Sequence, residues 1–163
     1  MEERRQSLVA FVRSSRFANA AGCAVMNVQS TAGNWSTQGT IRASGNAAAS
    51  EMRAIDRYEW LPGDFFLLHK VDALIGGEAS QSIEVIGYDA EQGCYVSRSY
   101  DDRGACDGFT ARLENRVWEV DGAKVRFRKA FDNKGAVLAG TWDQLRDAHQ
   151  WEPWMDIELR KVT

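Results

Sequence analysis

Short stretches in which apolar and polar residues alternate recur along the chain from about residue 34 onward. Alternation with a period of two places successive side chains on opposite faces of an extended strand, so the pattern predicts β-strands. Ten strands are predicted, over Trp35–Ala43, Met52–Trp60, Phe65–Asp72, Ser80–Tyr88, Tyr95–Tyr100, Cys106–Leu113, Arg116–Val120, Lys124–Phe131, Val137–Asp143 and Trp154–Val162. The ninth also fits a helical stripe of apolar residues, but Gly140 and the preceding Gly135 favour a strand.

The segments between these strands are rich in Asp, Asn and Gly, the residues that form tight turns. Asp121-Gly122 is the sharpest of these signals and predicts a two-residue hairpin loop between the seventh and eighth strands. Consecutive short strands joined by hairpins leave an up-and-down barrel or a β-sandwich as the main choices. The sequential hairpins favour an all-β fold, an antiparallel up-and-down β-barrel of about ten strands.

Alternation also assigns side chains to the two faces of each strand. In Phe65–Asp72, one face carries His69 among apolar residues, and we expect that face to point inward. In the last strand, Met155, Ile157 and Leu159 share one face. Because water or a ligand can satisfy interior polar groups, mixed faces fit a barrel that holds a ligand better than a dry sandwich core.

The first thirty residues lack this alternation. The apolar run Leu8–Val12 ends at Arg13, which makes it too short for a secretory signal or for the ~20 apolar residues of a membrane span. We predict that residues 1–30 form a short amphipathic N-terminal helix or a loosely ordered segment, and that residues 31–163 form one barrel domain. A chain of 163 residues has length for one domain with a substantial core, not for two.

Charge and cysteine content narrow the classes of partner and compartment. The chain has 20 basic and 23 acidic residues and a net charge of −3, so neither a nucleic-acid nor a membrane partner is expected. Its one basic stretch partly alternates with apolar residues, as a solvated strand face does; it comprises Lys124, Arg126, Arg128 and Lys129. Three cysteines without a dense disulfide pattern predict reduced thiols and a cytoplasmic location, and the predicted register keeps Cys94 out of disulfide reach of Cys106.

Gly33-Asn34-Trp35, at the start of the first strand, resembles the Gly-x-Trp signature of lipocalins and other calycins. In those families the tryptophan closes one barrel end beneath a basic residue of the last strand, for which Arg160 or Lys161 is the matching position. Further stretches resemble an uncharacterised bacterial family of lipocalin-like barrels, one of the domains of unknown function, and more distantly nitrobindin-like and fatty-acid-binding barrels. These stretches are Asp56–Trp60, Phe65–His69, Glu84–Asp89, Tyr95–Asp101 and Trp151–Met155. The resemblance covers about Ala32 to Val162 and implies a fold and a cavity, but no established activity.

Haem binding, the property of nitrobindin-like barrels, requires an axial histidine on the correct strand. His69 and His149 are the two histidines of the chain, and neither matches the position of that ligand. We therefore expect neither haem nor another cofactor. The sequence also lacks a Cys-x-x-Cys pair and His-x-x-x-His spacing, so no metal site is expected.

Eight residues are candidates for contacting a ligand inside the barrel: Arg57, Tyr58, His69, Arg98, Tyr100, Trp118, Trp142 and Trp154. His69 can act as a catalytic acid or base, hold a polar ligand group, or simply be a buried histidine satisfied by a neighbouring carboxylate. Arg57 and Arg98 can grip a carboxylate or enolate with the guanidinium fork, or form ion pairs on the outer face. The tryptophans can stack on a flat ligand or serve packing alone.

The sequence therefore favours non-enzymatic binding of a small hydrophobic or aromatic metabolite in the barrel interior. One alternative is a cofactor-independent isomerase, cyclase or dehydratase in which His69 is the acid/base and Arg57 or Arg98 stabilises charge. Another is a protein-interaction module whose N-terminal segment docks a partner or a second barrel, which would give a homodimer.

Overall fold

The fold is known from a computed structural model, which describes residues 31–146 and 150–162. The predicted N-terminal helix and His149 lie outside the described residues. Ten antiparallel strands follow one another along the described chain. They are β1 (Gly33–Ile41), β2 (Ser50–Trp60), β3 (Phe66–Ile75), β4 (Glu78–Asp89), β5 (Cys94–Asp101), β6 (Cys106–Glu114), β7 (Val117–Gly122), β8 (Val125–Phe131), β9 (Val137–Arg146) and β10 (Gln150–Val162).

Each strand pairs with its neighbours in sequence, and β10 pairs with β1 to close the ring. The closing ladder runs from Asn34 opposite Val162 to Ile41 opposite Met155. The predicted antiparallel up-and-down barrel of about ten strands is thus confirmed. Closure leaves no unpaired edge among these ten strands, which removes a template for aggregation. In the ranges that the structure describes, no helix is long and apolar enough to cross a membrane.

All ten predicted strands are present, with ends that differ by a few residues, and the ninth is a strand rather than a helix. The hairpin loop predicted at Asp121-Gly122 is wrong, because both residues belong to β7 and the loop lies at Ala123-Lys124. Gly122 pairs with Phe109 of β6, whose ring occupies the space that a Cβ at position 122 would need. This packing extends β7 beyond the dipeptide that local turn preference selects.

Apolar side chains pack one end of the barrel, called here the Trp35 end. Trp35 is only 1% exposed and packs with Phe131, Leu138 and Leu159. The ammonium of Lys161 lies 5.6 Å from the centroid of the Trp35 ring. The predicted contact of a basic residue of the last strand with Trp35 is therefore confirmed, with Lys161 in that position. Cys94 and Cys106 are both free thiols, as predicted.

Candidate functional site

The barrel interior contains a cavity of about 440 Å³. Small-molecule sites in proteins span roughly 300–1,000 Å³, so the cavity has room for a metabolite. Inward-facing residues of all ten strands form its wall, which is mainly apolar and aromatic and includes Leu67, Phe109, Trp118, Phe127, Trp142 and Met155. Most of the polar side chains in this wall lie on one side of the barrel, on β1 to β6, and Lys129 of β8 lies on the other.

A continuous row of hydrogen bonds crosses the interior from β1 to β5. The Thr37 hydroxyl donates to Asp56, and the other oxygen of Asp56, Oδ1, lies 2.8 Å from His69 Nε2. His69 Nδ1 lies 3.2 Å from Glu84 Oε2, and the Ser97 hydroxyl donates to Glu84 Oε1 at 2.5 Å. We call these five side chains the polar row. Each of the strands β1 to β5 contributes one of them.

Strand pairing builds the polar row from residues that are distant in sequence. His69 of β3 stands directly opposite Tyr58 of β2 and Glu84 of β4. Asp56 is two residues from Tyr58 and therefore shares its inward face, within reach of the imidazole on the diagonal. Because His69 faces inward, as predicted, its imidazole reaches the carboxylates of Asp56 and Glu84.

The contacts of His69 favour the imidazolium form. An ionised carboxylate only accepts hydrogen bonds and a neutral imidazole has a single N–H, so a protonated ring is required to donate to Asp56 and Glu84 together. Burial alone would lower the pKa of His69, but the hydrogen bonds to Asp56 and Glu84 outweigh it and raise that pKa above its ordinary value. Burial likewise tends to raise the pKa of Glu84, and the bond to His69 lowers it. Two carboxylates and one imidazolium leave the row with an excess of negative charge.

Tyr58 covers one face of the imidazole. Its ring is stacked on that of His69, with centroids 4.0 Å apart and planes 7° apart. Burial, with the nearby charges of Asp56 and Glu84, raises the pKa of Tyr58 well above its ordinary value, so the phenol stays protonated at neutral pH. Within the described part of the chain the hydroxyl has no hydrogen-bond partner, which leaves its O–H available to a ligand.

Lys129 faces the cavity from the opposite wall, since its strand, β8, lies five places from β3 in the ring of ten. Its Nζ lies 4.7 Å from the centroid of the Phe127 ring and forms no hydrogen bond or ion pair with any residue that the structure describes. Burial lowers the pKa of Lys129 to about 8, although the charges of Glu84 and Asp56 act to raise it.

The sequence-based placement of Lys129 on a solvated face is wrong. Lys129 alternates in phase with Phe127 and Phe131, which are 2% and 7% exposed and belong to the interior. Arg126 and Arg128, by contrast, are exposed on the outer face. The available signal was a charged residue in phase with buried apolar residues, and Asp56 in phase with Ala54 and Glu84 in phase with Ile86 show the same signal on their strands.

Five of the eight candidate residues line the cavity: Tyr58, His69, Trp118, Trp142 and Trp154. The other three point outward. Arg57 pairs with Asp72 at 2.9 Å, Arg98 contacts the Cys106 Sγ at 3.4 Å, and Tyr100 is 45% exposed. An interior grip by either arginine does not fit these positions, whereas the outer-face ion pair considered for Arg57 is present.

The fold and site define a class of protein: a closed ten-stranded antiparallel barrel with an interior cavity and a buried row of charged side chains. The chain belongs to the family described as Protein of unknown function (DUF1579), whose model matches residues 26–110, more than half of the sequence. The matched region carries the whole polar row, and Lys129 lies beyond it. No curated protein matches the chain. Membership of a family of unknown function, which the resemblance predicted, is confirmed.

Proposed function

We propose that this protein is a lipocalin-like binding protein that holds a small hydrophobic or aromatic metabolite in the barrel interior. The observation that carries the proposal is the cavity of about 440 Å³. Protein interiors are close-packed, and voids larger than a few water molecules are uncommon in them. Some of the side chains that line this space are small and leave it open, among them Thr37, Ser97 and Ala111.

Aromatic residues would contact the body of the ligand. Phe127 and Trp142 are stacked, with centroids 4.6 Å apart and planes 9° apart, and Phe109 meets Trp142 edge-on. Such rigid, flat surfaces suit a planar or extended apolar molecule. Tyr58 and Lys129 supply donors that have no hydrogen-bond partner among the residues that the structure describes, so the ligand that fits best has an apolar body and at least one acceptor group.

The geometry around His69 supports binding more than acid/base catalysis. Both ring nitrogens are bound by carboxylates, so neither is free to take a proton from a ligand unless one of these bonds breaks. The enzyme alternative in which His69 acts as a base is therefore less well supported than binding. The interaction alternative depends on residues 1–30, which lie outside the described residues.

Native mass spectrometry of the protein purified from its own host tests the proposal directly, because a co-purifying molecule would identify the ligand class. A matched pair of variants locates the site. Ala111 lines the cavity and is 8% exposed, so Ala111→Phe should fill the space and weaken binding of the dye anilinonaphthalene sulfonate at least about tenfold, or 1.4 kcal/mol.

The control variant, Thr110→Phe, adds the same ring on the outer face of the same strand, where Thr110 is exposed. It should bind the dye as the wild type does. Equal dye binding by both variants and the wild type would place the dye outside the barrel and contradict the proposal. Dye emission, which rises in apolar surroundings, is the measurement.

A further inference from the structure

Among the amines in the described chain, the Lys129 amine is the one placed in the cavity wall. Lys70 pairs with Glu59 at 3.0 Å outside the cavity lining, and Lys161 lies over Trp35. Beside β8, the inward neighbours of Lys129 are apolar: Trp118 and Val120 on β7, and Leu138 and Trp142 on β9. This amine faces the cavity directly, and no carboxylate among the described residues lies within ion-pair distance of it.

We propose that Lys129 binds its ligand covalently and reversibly, as an imine formed with a hydrophobic aldehyde or ketone. The inference rests on the proposed function, because the carbonyl compound must first occupy the cavity. It adds the ligand class, a carbonyl compound with an apolar body, and the atom that captures it, the Lys129 Nζ.

The bond change is balanced without an oxidant or a reductant. The lone pair of the neutral amine adds to the carbonyl carbon, and the resulting carbinolamine loses the carbonyl oxygen together with the two N–H hydrogens as one molecule of water. A C=N bond remains. Protonation of that imine gives a cation, and across the cavity lie Asp56 and Glu84, whose row carries excess negative charge. An apolar wall also limits the water available for hydrolysis.

Burial supplies the reactive form of the amine. Lysine forms imines only when neutral, and burial in an apolar site is a common way in which proteins obtain neutral lysines. With its pKa lowered to about 8, about a tenth of Lys129 is neutral at pH 7, against roughly one in three thousand for a lysine at the ordinary 10.5. The other titratable groups that line the cavity are Asp56, Tyr58, His69, Glu84, Tyr95 and Asp107.

The test is reductive trapping of the imine with cinnamaldehyde and sodium cyanoborohydride, followed by peptide mass spectrometry. In the wild type, one cinnamyl adduct should form at Lys129 more than about tenfold faster than at the exposed Lys124. Lys129→Arg keeps the positive charge but cannot form the imine, and should lose this adduct. Lys124→Arg is the matched control and should keep it.

The pH dependence gives a second measurement on the unaltered chain. Trapping at Lys129 should rise with pH and level off above about 8. Adducts spread evenly over Lys124, Lys129 and Lys134, or an equally labelled Lys129→Arg variant, would overturn the inference. Lys129→Met, which removes the buried charge, replaces the Arg variant if that variant fails to fold.

Cinnamyl alcohol separates this inference from the proposed function, because it has the same body without the carbonyl. Both molecules should quench tryptophan fluorescence, since Trp118 and Trp142 line the cavity. Quenching by both without an adduct at Lys129 would leave the proposed function standing and overturn the imine. Absence of quenching by either molecule, together with unchanged dye binding in Ala111→Phe, would overturn both.

Discussion

At His69, one imidazole meets two carboxylates and a phenol ring from two neighbouring strands. The side chains of His69 and Asp56 are 14% and 7% exposed, so their charges are largely removed from water. Removing a charge from water is costly unless partners and hydrogen bonds compensate for it. Here Thr37 and Ser97 complete the hydrogen bonding of the two carboxylates, and the row as a whole is satisfied.

We expect His69→Phe to destabilise the barrel strongly. Phenylalanine keeps a ring against Tyr58 but leaves Asp56 and Glu84 without their shared cation, and breaking a buried ion pair costs roughly 3–5 kcal/mol. Urea unfolding followed by tryptophan fluorescence measures the loss. Arg57→Ala removes an exposed pair with Asp72 and should cost no more than about 1 kcal/mol, so equal losses would contradict the role assigned to His69.

The same variant should change how stability depends on pH. The pKa of folded His69 is raised above 6.5, so its contribution is complete below 6.5 and is lost as pH rises through the folded pKa. The pKa of folded Glu84 is lowered below 4.5, so its contribution is complete above 4.5 and is lost as pH falls through the folded pKa. The difference between wild type and His69→Phe should be largest between pH 4.5 and 6.5. A difference that stays constant with pH would refute this.

The alternation of residues within one strand predicts which side chains of the candidate site face the barrel interior. Alternation correctly places His69 on an inward face, and it places Asp56, Glu84 and Lys129 inside as well once each is compared with its buried neighbours. Alternation within one strand does not show which residues stand opposite each other. The contact of His69 with two carboxylates depends on the register of three strands, so it emerges only from the assembled sheet.

At the scale of the strands, β8 and β9 approach each other closely at Gly140. A Cβ built there would overlap the Arg128 carbonyl oxygen and would lie 2.7 Å from the Lys129 Cα. Both neighbours are backbone atoms, so a side chain at this position would push the strands apart. The glycine thereby fixes the position of the backbone that carries Lys129.

Gly140→Ala should therefore lower the free energy of unfolding by about 1–3 kcal/mol or more, because backbone neighbours cannot rotate away as a side chain can. Gly108→Ala is the matched control, since it also lies within a strand and its added Cβ would meet nothing closer than 3.9 Å. The control should be neutral, or more stable by a few tenths of a kcal/mol through the unfolded state. The measurement is the midpoint of chemical unfolding of each variant. Equal midpoints for Gly140→Ala and Gly108→Ala would show that β8 and β9 can move apart to accept the side chain.

The strands were predictable because a period of two is a local property of the chain. The end of β7 was not, because Asp121-Gly122 has the composition of a tight turn. What decides the outcome is the Phe109 ring lying over Gly122 from the neighbouring strand. Phe66 covers Gly87 in the same way on β3 and β4. Packing of an aromatic ring over a glycine is a tertiary effect that turn statistics do not contain.

At the scale of the whole molecule, the pairing of β1 with β10 closes the barrel. Trp35 pairs with Lys161 across that seam and packs into the apolar cluster of the Trp35 end. The sequential hairpins predicted the barrel, and the resemblance predicted this contact. The volume left inside was not predictable, because it depends on how side chains from all ten strands meet.

Trp35→Ala should cost roughly 3–5 kcal/mol of the free energy of unfolding, since it deletes a large side chain that is 1% exposed. Tyr100→Ala removes an aromatic ring that is 45% exposed and should cost less than about 1 kcal/mol. Guanidinium unfolding of the two variants gives the comparison. A mild effect in both would mean that the Trp35 end is not required to hold the barrel closed.

The pairing of β1 with β10 also sets an order of events while the chain is being made. β1 is synthesised early, but one of its two neighbouring strands is the last of the ten to leave the ribosome. Such distant pairings form late in folding, after the hairpins between consecutive strands. The closed interior cavity therefore forms only after β10 has been synthesised and has paired with β1.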